Sequence, residues 1–213
     1  VIAHWKLDEA GSPYADSSGY DNNLEQDYAT SIPTVGSGVD GNALLLHWEA
    51  SPGVSTRLYA SGDALQSDSF GFSFWCRPDY MTAGDNIFAK EMPPTTTGDI
   101  SARMAWQVKV GPDDGTGYAP IQLVVRGSDR AEGDFFGSVD SSTKLPLTAA
   151  SASWVHIAGG YDALTGDLSI YVDGLAANAA GIPGANNSDG SGFSVGTTPN
   201  DTNFVAYAAT TAI

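Results

Sequence analysis

Two carboxylates and two amides lie close together in residues 16–23, which read Asp-Ser-Ser-Gly-Tyr-Asp-Asn-Asn. Calcium takes six to eight oxygens from carboxylates, amides, backbone carbonyls and water, so the segment is a candidate site with Asp16, Asp21 and Asn22 as ligands. The same residue types also build turns by bonding to nearby backbone groups. One such turn seldom completes a calcium shell alone, so both interpretations stay open. A second acidic loop, residues 113–117, is expected to be a plain solvated turn.

The spacing of carboxylates and nucleophiles does not match a known catalytic arrangement. Glycosidases use two carboxyl groups that flank the scissile bond, and β-sandwich glucanases carry them as Glu-x-Asp-x-x-Glu on one strand. The nearest glutamates here, Glu9 and Glu25, are sixteen residues apart, so this motif is absent. Residues 192–196 fit Gly-x-Ser-x-Gly, but that hydrolase pattern needs a helix and a histidine downstream of Ser194. The last histidine is His156, and we therefore expect no enzymatic activity.

Tryptophan side chains offer a different chemistry, because the apolar face of a sugar ring can stack on a flat indole. Trp48, Trp75, Trp106 and Trp154 each fall in a strand-like run. Buried aromatic side chains also dominate core energetics, so some of the four are expected to fill the core. The sequence does not decide which tryptophans face outward. The three scattered histidines are expected to be structural.

Charge and composition exclude several classes of protein. Acidic residues outnumber basic ones 25 to 9, giving a net charge of −16 that repels nucleic acid and anionic membrane surfaces. No apolar run is long enough to span a bilayer, so we expect no membrane insertion. The one cysteine, Cys76, excludes an internal disulfide and is expected to be a buried, inert thiol.

The elements that must position these groups are short strands. Phe70, Phe72, Phe74 and Cys76 occupy alternate positions, which places them on one face of a predicted strand, and Pro78 is expected to end that strand. Residues 154–172 contain two alternating runs joined by a loop with Gly and Asp, which predicts a β-hairpin. Helical spacing is confined to a weak Ala-rich patch at residues 175–180. The chain is predicted to form one all-β domain over residues 1–213, an antiparallel sandwich or barrel.

The predicted hairpin resembles the signature of laminin-G-like domains. It reads Trp-Val-His-Ile-Ala-Gly-Gly-Tyr-Asp and then Thr-Gly-Asp-Leu-Ser-Ile-Tyr-Val-Asp-Gly. Matching segments occur in order at residues 4–9 with 16–19, 72–78, 87–90 and 193–196. The resemblance implies a concanavalin A-like jelly roll of two packed antiparallel sheets, found in secreted and surface proteins that bind glycans or proteins. It also implies structural calcium near the turn at residues 16–23.

One feature departs from the resemblance. Bacterial relatives continue after the late strand with a segment like Gly-x-Ile-Asp-Asp-Val-x-Ile-Tyr-Asn, which pairs beside the first strand. The chain ends at Ile213, where that strand should begin. We therefore expect a domain that lacks its final strand and is part of a longer chain, with the backbone of the first strand left unpaired.

Three functions follow from these observations. The leading hypothesis is a non-catalytic module for recognition or adhesion at the cell or virion surface or outside the cell. Its partners would be a glycan or an extracellular protein, and neighbouring domains of a larger assembly. The alternatives are a polysaccharide-cleaving enzyme with an atypical acid pair, and a structural subunit of an appendage, S-layer or virion surface.

Overall fold

In a computed structural model, the described part of the chain consists mainly of antiparallel β-strands. The described residues are 1, 3–27, 34–46, 48–49, 54–55, 57–60, 69–91, 104–126, 136–148, 153–179, 193–196 and 205–212. Turn-forming Asp and Gly separate short apolar runs, and the described residues accordingly contain strands and no helix. Within them, no helix is long and apolar enough to cross a membrane.

Two large sheets contain nearly all of these strands. The first has the spatial order β15 (Leu175–Ala179), β14 (Asp167–Val172), β13 (Val155–Asp162), β8 (Phe70–Tyr80), β17 (Val205–Ala212), β4 (Asn42–Leu46) and β3 (Thr34–Ser37), with β1 (His4–Trp5) also paired to β17. The second has the order β12 (Phe136–Pro146), β11 (Tyr118–Arg126), β10 (Met104–Val110), β9 (Asn86–Glu91), β16 (Phe193–Gly196), β7 (Arg57–Ala60) and β2 (Glu25–Asp27). Two short strands, β5 (Trp48–Glu49) and β6 (Val54–Ser55), pair separately. The predicted all-β, antiparallel two-sheet architecture is confirmed.

Side chains at alternate positions of the strands point inward and fill the space between the two sheets. Phe72 and Phe74 of β8 are buried, as is Trp106 of the opposite sheet. The Trp106 ring stacks on Phe70 with centroids 4.3 Å apart and lies 5.6 Å from the ring of Phe88. Aromatic pairs of this kind contribute about 0.5–1.5 kcal/mol each beyond the area they bury. The aromatic side chains therefore hold β8 against β9 and β10.

The hairpin predicted from residues 154–172 is confirmed. Strands β13 and β14 pair antiparallel from Ile157 opposite Val172 to Asp162 opposite Asp167. The Gly166 N–H donates to the Asp162 carbonyl at 2.8 Å, which closes the loop. The following Asp173 and Gly174 have φ of 49° and 80°, as an Asp-Gly turn requires.

The structure corrects the expectation that the first strand is unpaired. Strand β17 pairs with β1, placing Ala212 opposite His4 and Thr211 opposite Trp5. The same strand pairs with β8 on its other side and with β4 further along. Its sequence lacks the expected acidic motif, but Val, Tyr and Thr favour strand geometry and suit a position between two neighbours.

The structure differs from the sequence pattern at three other elements. Strand β8 continues through Pro78 instead of ending there. Its pairing with β13 stops at Cys76, and its pairing with β17 shifts register next to Pro78. A residue without an N–H is therefore tolerated at this position. The Ala-rich patch forms strand β15, because pairing with β14 outweighs the helix preference of alanine. Strand β12 was not predicted, since its Ser- and Asp-rich sequence resembles a loop.

The close approach of β8 and β13 gives a test of the fold. A Cβ added at Gly160 would lie 2.5 Å from the Phe70 carbonyl oxygen, whereas one added at the facing Gly71 would meet nothing nearer than 3.7 Å. We expect Gly160→Ala to lower the free energy of unfolding by about 1–3 kcal/mol, because the backbone must shift. Gly71→Ala should be neutral or stabilise by up to about 1 kcal/mol. Urea unfolding of both variants checks this, and equal effects would contradict it.

Candidate functional site

The outer face of the first sheet carries a group of partly exposed aromatic and cationic side chains. Because Phe74 and Cys76 point into the core, Trp75 and Arg77 of β8 point outward. The register places His156 of β13 opposite Trp75. Trp154, just before β13, and Tyr171 of β14 complete the group. We call Trp75, Arg77, Trp154, His156 and Tyr171 the aromatic patch.

Ring contacts order the side chains of the aromatic patch. The imidazole of His156 lies 5.1 Å from the Trp75 ring, tilted by 54°. The guanidinium carbon of Arg77 lies 5.6 Å from the centre of the Trp154 ring, within cation–π range. The first pair joins β8 to β13, and the second joins β8 to the residue just before β13, near the middle of the sheet. Two neighbouring strands therefore position most of the patch.

The turn after β14 fixes the backbone at one end of the aromatic patch. The His156 N–H donates to the Asp173 carboxylate at 2.9 Å, and the Asp173 N–H donates to the His156 carbonyl at 2.9 Å. This pair of bonds holds His156 in register with Trp75. It also places one carboxylate beside the patch.

Small side chains continue the outer face next to the aromatic patch. Ser73 pairs with Ala158, and Gly71 pairs with Gly160, so the two strands offer little side-chain volume there. Tyr171 lies opposite Ala158 on the far side and is 37% exposed. A flat ligand that stacks on Trp75 could extend over these small residues without a steric clash.

The remaining tryptophans lie elsewhere. Trp106 is a core residue, as is Trp5, whose indole N–H donates to the Asn22 carbonyl at 2.6 Å. The side chain of Trp48 lies outside the described residues. Of the four tryptophans proposed from the sequence, Trp75 and Trp154 are thus the two that the structure places on an outer face.

The acidic turn predicted as a calcium site is organised around Asp16. Its Oδ1 accepts the N–H groups of His4 at 2.8 Å and Ser18 at 2.9 Å. Its Oδ2 accepts the Ser18 hydroxyl at 2.7 Å and the Asn22 N–H at 3.0 Å. Four donors therefore surround one carboxylate and tie the turn to β1.

The other two expected calcium ligands are arranged differently. Asp21 is exposed, with φ of 58°, and Asn22 is buried. Among the described residues, no three His, Cys, Asp or Glu side chains lie close enough to hold a metal ion. Both carboxylate oxygens of Asp16 already accept hydrogen bonds from protein donors. The described geometry is therefore that of a hydrogen-bonded turn rather than that of a cation-binding site. Calcium at this turn stays a prediction from the sequence.

The second acidic loop is a turn, as predicted. The Asp113 carboxylate accepts the Gly115 N–H at 2.9 Å, and the Asp114 carboxylate accepts the Thr116 N–H at 2.8 Å. Hydrogen bonds from Thr116 and then Lys144 hold the pKa of Asp114 well below its usual range. Asp114 is exposed, so we assign this loop a local structural role.

The histidine and cysteine side chains that the structure describes contact neighbouring residues in ways that suit a structural role. The Ser17 hydroxyl contacts His4 Nδ1 at 3.2 Å and also lies 2.9 Å from the His4 carbonyl oxygen. Burial raises the pKa of the Cys76 thiol to about 12, with a smaller contribution from Asp173. The expectation of a buried, unreactive thiol is confirmed. His47 lies outside the described residues.

An open cleft of about 280 Å³ lies near the acidic turn. It is lined by Lys6, Asp8, Glu9, Ala15 and Ser17. Glu9 Oε1 accepts the Ala15 N–H at 3.0 Å, while its Oε2 is buried and has no hydrogen-bond partner in the described part of the chain. Asp8 Oδ1 accepts the Asn42 N–H at 2.9 Å. Two carboxyl groups thus border one cleft.

The environment of Asp16 predicts a pH-dependent contribution to stability. Burial opposes its ionisation, but hydrogen bonds from Ser18 and His4 outweigh this and lower its pKa from 3.8. Such a carboxylate stabilises the fold above its unfolded pKa, and this stabilisation is lost as the pH falls through the lower folded value. We expect Asp16→Asn to cost about 1–2 kcal/mol at pH 7, because an amide nitrogen cannot accept two of these bonds. The cost should shrink below about pH 4.

Urea unfolding of wild type and Asp16→Asn at pH 7 and pH 3 measures this difference. Asp21→Asn is the matched control, since Asp21 is exposed and asparagine tolerates its positive φ. A difference that does not change with pH would contradict the role of the carboxylate. Melting curves in calcium, in chelator and in sodium chloride of equal ionic strength test the calcium prediction. That prediction requires a calcium-specific rise in Tm that Asp16→Asn removes.

Solved structures with the same fold include sugar-binding and receptor-binding domains. Domain 4 of AbnA, a GH43 extracellular arabinanase from Geobacillus stearothermophilus, solved in complex with arabinotriose, is 16% identical with a TM-score of 0.66, over 99% of this chain and 89% of that one. The receptor binding domain of botulinum neurotoxin type G is 14% identical with a TM-score of 0.57, over 99% of this chain. The chain spans 46% of the length of that neurotoxin domain. At these identities the likeness shows the fold alone.

Sequence comparison identifies the family. No curated protein sequence gives a significant match to the chain. A family model described as the concanavalin A-like lectin/glucanases superfamily, of laminin G type, matches residues 52–212. This match covers the aromatic patch, the hairpin and the last strand, β17. The chain therefore belongs to the laminin G type of the concanavalin A-like lectin/glucanases superfamily.

Proposed function

We propose that the chain is a non-catalytic recognition module that binds a glycan through the aromatic patch. The observation that carries the proposal is the outward, partly exposed position of Trp75, on central strand β8, and of Trp154, just before the neighbouring strand β13. An indole face offers a sugar ring a flat apolar surface, and the ordered strands limit the conformational entropy lost on binding. The flanking Arg77 and His156 supply N–H groups for hydroxyl oxygens.

The surroundings of the patch also support a sugar ligand. The small residues Ser73 and Ala158 leave room for a ring beyond Trp75, and Asp173 can accept hydrogen bonds from hydroxyl groups. An arabinanase domain of the same fold has been solved with arabinotriose. We infer an extracellular or surface location within a larger assembly, where a polysaccharide or a glycosylated protein would be the partner.

Removal of either tryptophan tests the proposal. We expect Trp75→Ala and Trp154→Ala each to weaken glycan binding by about tenfold or more. Tryptophans that become buried when a ligand binds contribute a large share of the binding free energy. Isothermal titration calorimetry with arabinotriose and neutral hexasaccharides of glucose, xylose and mannose measures the affinities. Circular dichroism confirms that each variant is folded.

A matched control separates this patch from exposed aromatic residues in general. Tyr118 is 46% exposed at the start of β11, in the other sheet. Tyr118→Ala should bind as the wild type does. Wild-type binding that both tryptophan variants retain would contradict the proposed site, and no binding to any oligosaccharide or to a glycan array would contradict the proposed function.

A glycan-cleaving enzyme is the second candidate, and one observation favours it. Asp8 and Glu9 border the same cleft, and retaining or inverting glycosidases need two carboxyl groups about 5–9.5 Å apart. Reducing-sugar release from the same oligosaccharides tests this function. We expect no release from the wild type. Release that Glu9→Gln abolishes would establish the enzyme and overturn the non-catalytic proposal.

A further inference from the structure

Strand β15 forms one edge of the first sheet in the part of the chain that the structure describes. It pairs on one side with β14, from Leu175 opposite Val172 to Ala179 opposite Leu168. The five pairs follow one another without a shift in register. The peptide groups on the other side of β15 therefore face away from the sheet.

The turn before β15 determines which of its backbone groups face away from β14. The two turn residues, Asp173 and Gly174, have positive φ, so the strand residues that flank them exchange both hydrogen bonds. Hydrogen-bonded and non-hydrogen-bonded pairs then alternate along the two strands. The N–H and C=O groups of Ala176 and Asn178 therefore point away from β14, and both residues are exposed. These four backbone groups are accessible to a partner strand.

The sequence of β15 lacks the features that usually protect an edge strand. Charged residues, prolines and bulges all make an edge less suitable for pairing. Strand β12, at the end of the second sheet that lies beside β15, carries Asp140 and Lys144, and its pairing with β11 shifts register after Pro120. Strand β15 reads Leu-Ala-Ala-Asn-Ala and has none of these features over residues 175–179. Of these two edges, β15 is the better template for strand addition.

The charge around β15 favours a cationic partner. Asp167 begins β14, and Asp173 lies in the turn before β15. The sequence contains no lysine or arginine after Lys144. Because the whole chain carries a net charge of −16, a second copy would be repelled, whereas a basic segment would be attracted.

We propose that the edge of β15 binds an extended, basic peptide segment of a partner protein by β-strand addition. Main-chain hydrogen bonds to Ala176 and Asn178 would provide affinity. Side chains of the added strand would alternate between the two faces of the sheet, and every second one would lie beside Ala177, which packs against the core. Small or apolar side chains suit those positions, and lysine or arginine suits the positions between them. The proposal goes beyond the proposed function, since the partner is a protein segment and not a glycan.

Titration of the full chain with a synthetic peptide tests strand addition. The probe is a hexapeptide of three Lys-Val repeats with blocked ends, and three Glu-Val repeats form the charge-reversed control. Nuclear magnetic resonance follows the backbone amide signals of Ala176 and Asn178. We expect both signals to shift saturably with the lysine peptide and to stay unchanged with the glutamate peptide.

Proline substitution removes an outward donor while keeping the hydrogen bonds to β14. We expect Ala176→Pro to weaken binding of the lysine peptide by about three- to tenfold, because the lost N–H is one that faces away from the sheet. Asn178→Pro should act in the same way at the second donor. Ala176→Val keeps the N–H and is the matched control, expected to bind as the wild type does. Circular dichroism confirms that each variant is folded.

The remaining outcomes contradict the proposal. No shift at Ala176 and Asn178 with the lysine peptide, or equal affinity of the wild type and a folded proline variant, would overturn strand addition. Equal binding of both peptides would overturn the preference for a basic partner. A dimer in analytical ultracentrifugation that Ala176→Pro dissociates would identify a second copy as the occupant instead. Because arabinotriose assays the aromatic patch separately, this inference and the proposed function can fail independently.

Discussion

The register between β8 and β13 is the constraint on which the rest of the structure depends. It fixes which side of each strand faces the core, because side chains alternate with a period of two and a shift by one residue would exchange the faces. In this register Phe74 lies opposite Ile157 inside the sandwich, and Trp75 lies opposite His156 outside it. Close backbone contact at Gly160 resists slippage. The same pairing thus determines the core and the aromatic patch together.

The chain termini are held by a second, electrostatic constraint. Asp16 gathers backbone donors from β1 and from its own turn, and β1 in turn pairs with β17. Strand β17 lies between β8 and β4, so the first sheet is continuous only while β17 is in place. The Asp16 carboxylate therefore stabilises the middle of the first sheet indirectly, through β1 and then β17. The acidic turn thus contributes to the fold through these hydrogen bonds.

Sequence patterns predicted the strands in which apolar side chains occupy alternate positions. They failed where pairing with a neighbouring strand outweighs the conformational preference of the residues themselves. The hairpin was predictable, because residues 154–172 contain two alternating runs joined by a loop with Gly and Asp. Strand β15 was not, since its alanines form a strand only by pairing with β14. For the candidate site, the tryptophans were recognisable, but the face of each depends on long-range register.

The charge of the chain further restricts what the aromatic patch can bind. With a net charge of −16, the molecule repels polyanions at long range, and salt screens this repulsion only beyond a Debye length of about 10 Å at 0.1 M. The cationic group of the aromatic patch already has a partner, since the Arg77 guanidinium lies over the Trp154 ring. The aromatic patch therefore does not concentrate positive charge. An uncharged glycan is not repelled by the negative charge of the molecule. The net charge and the side chains of the aromatic patch therefore favour the same class of ligand, neutral glycans.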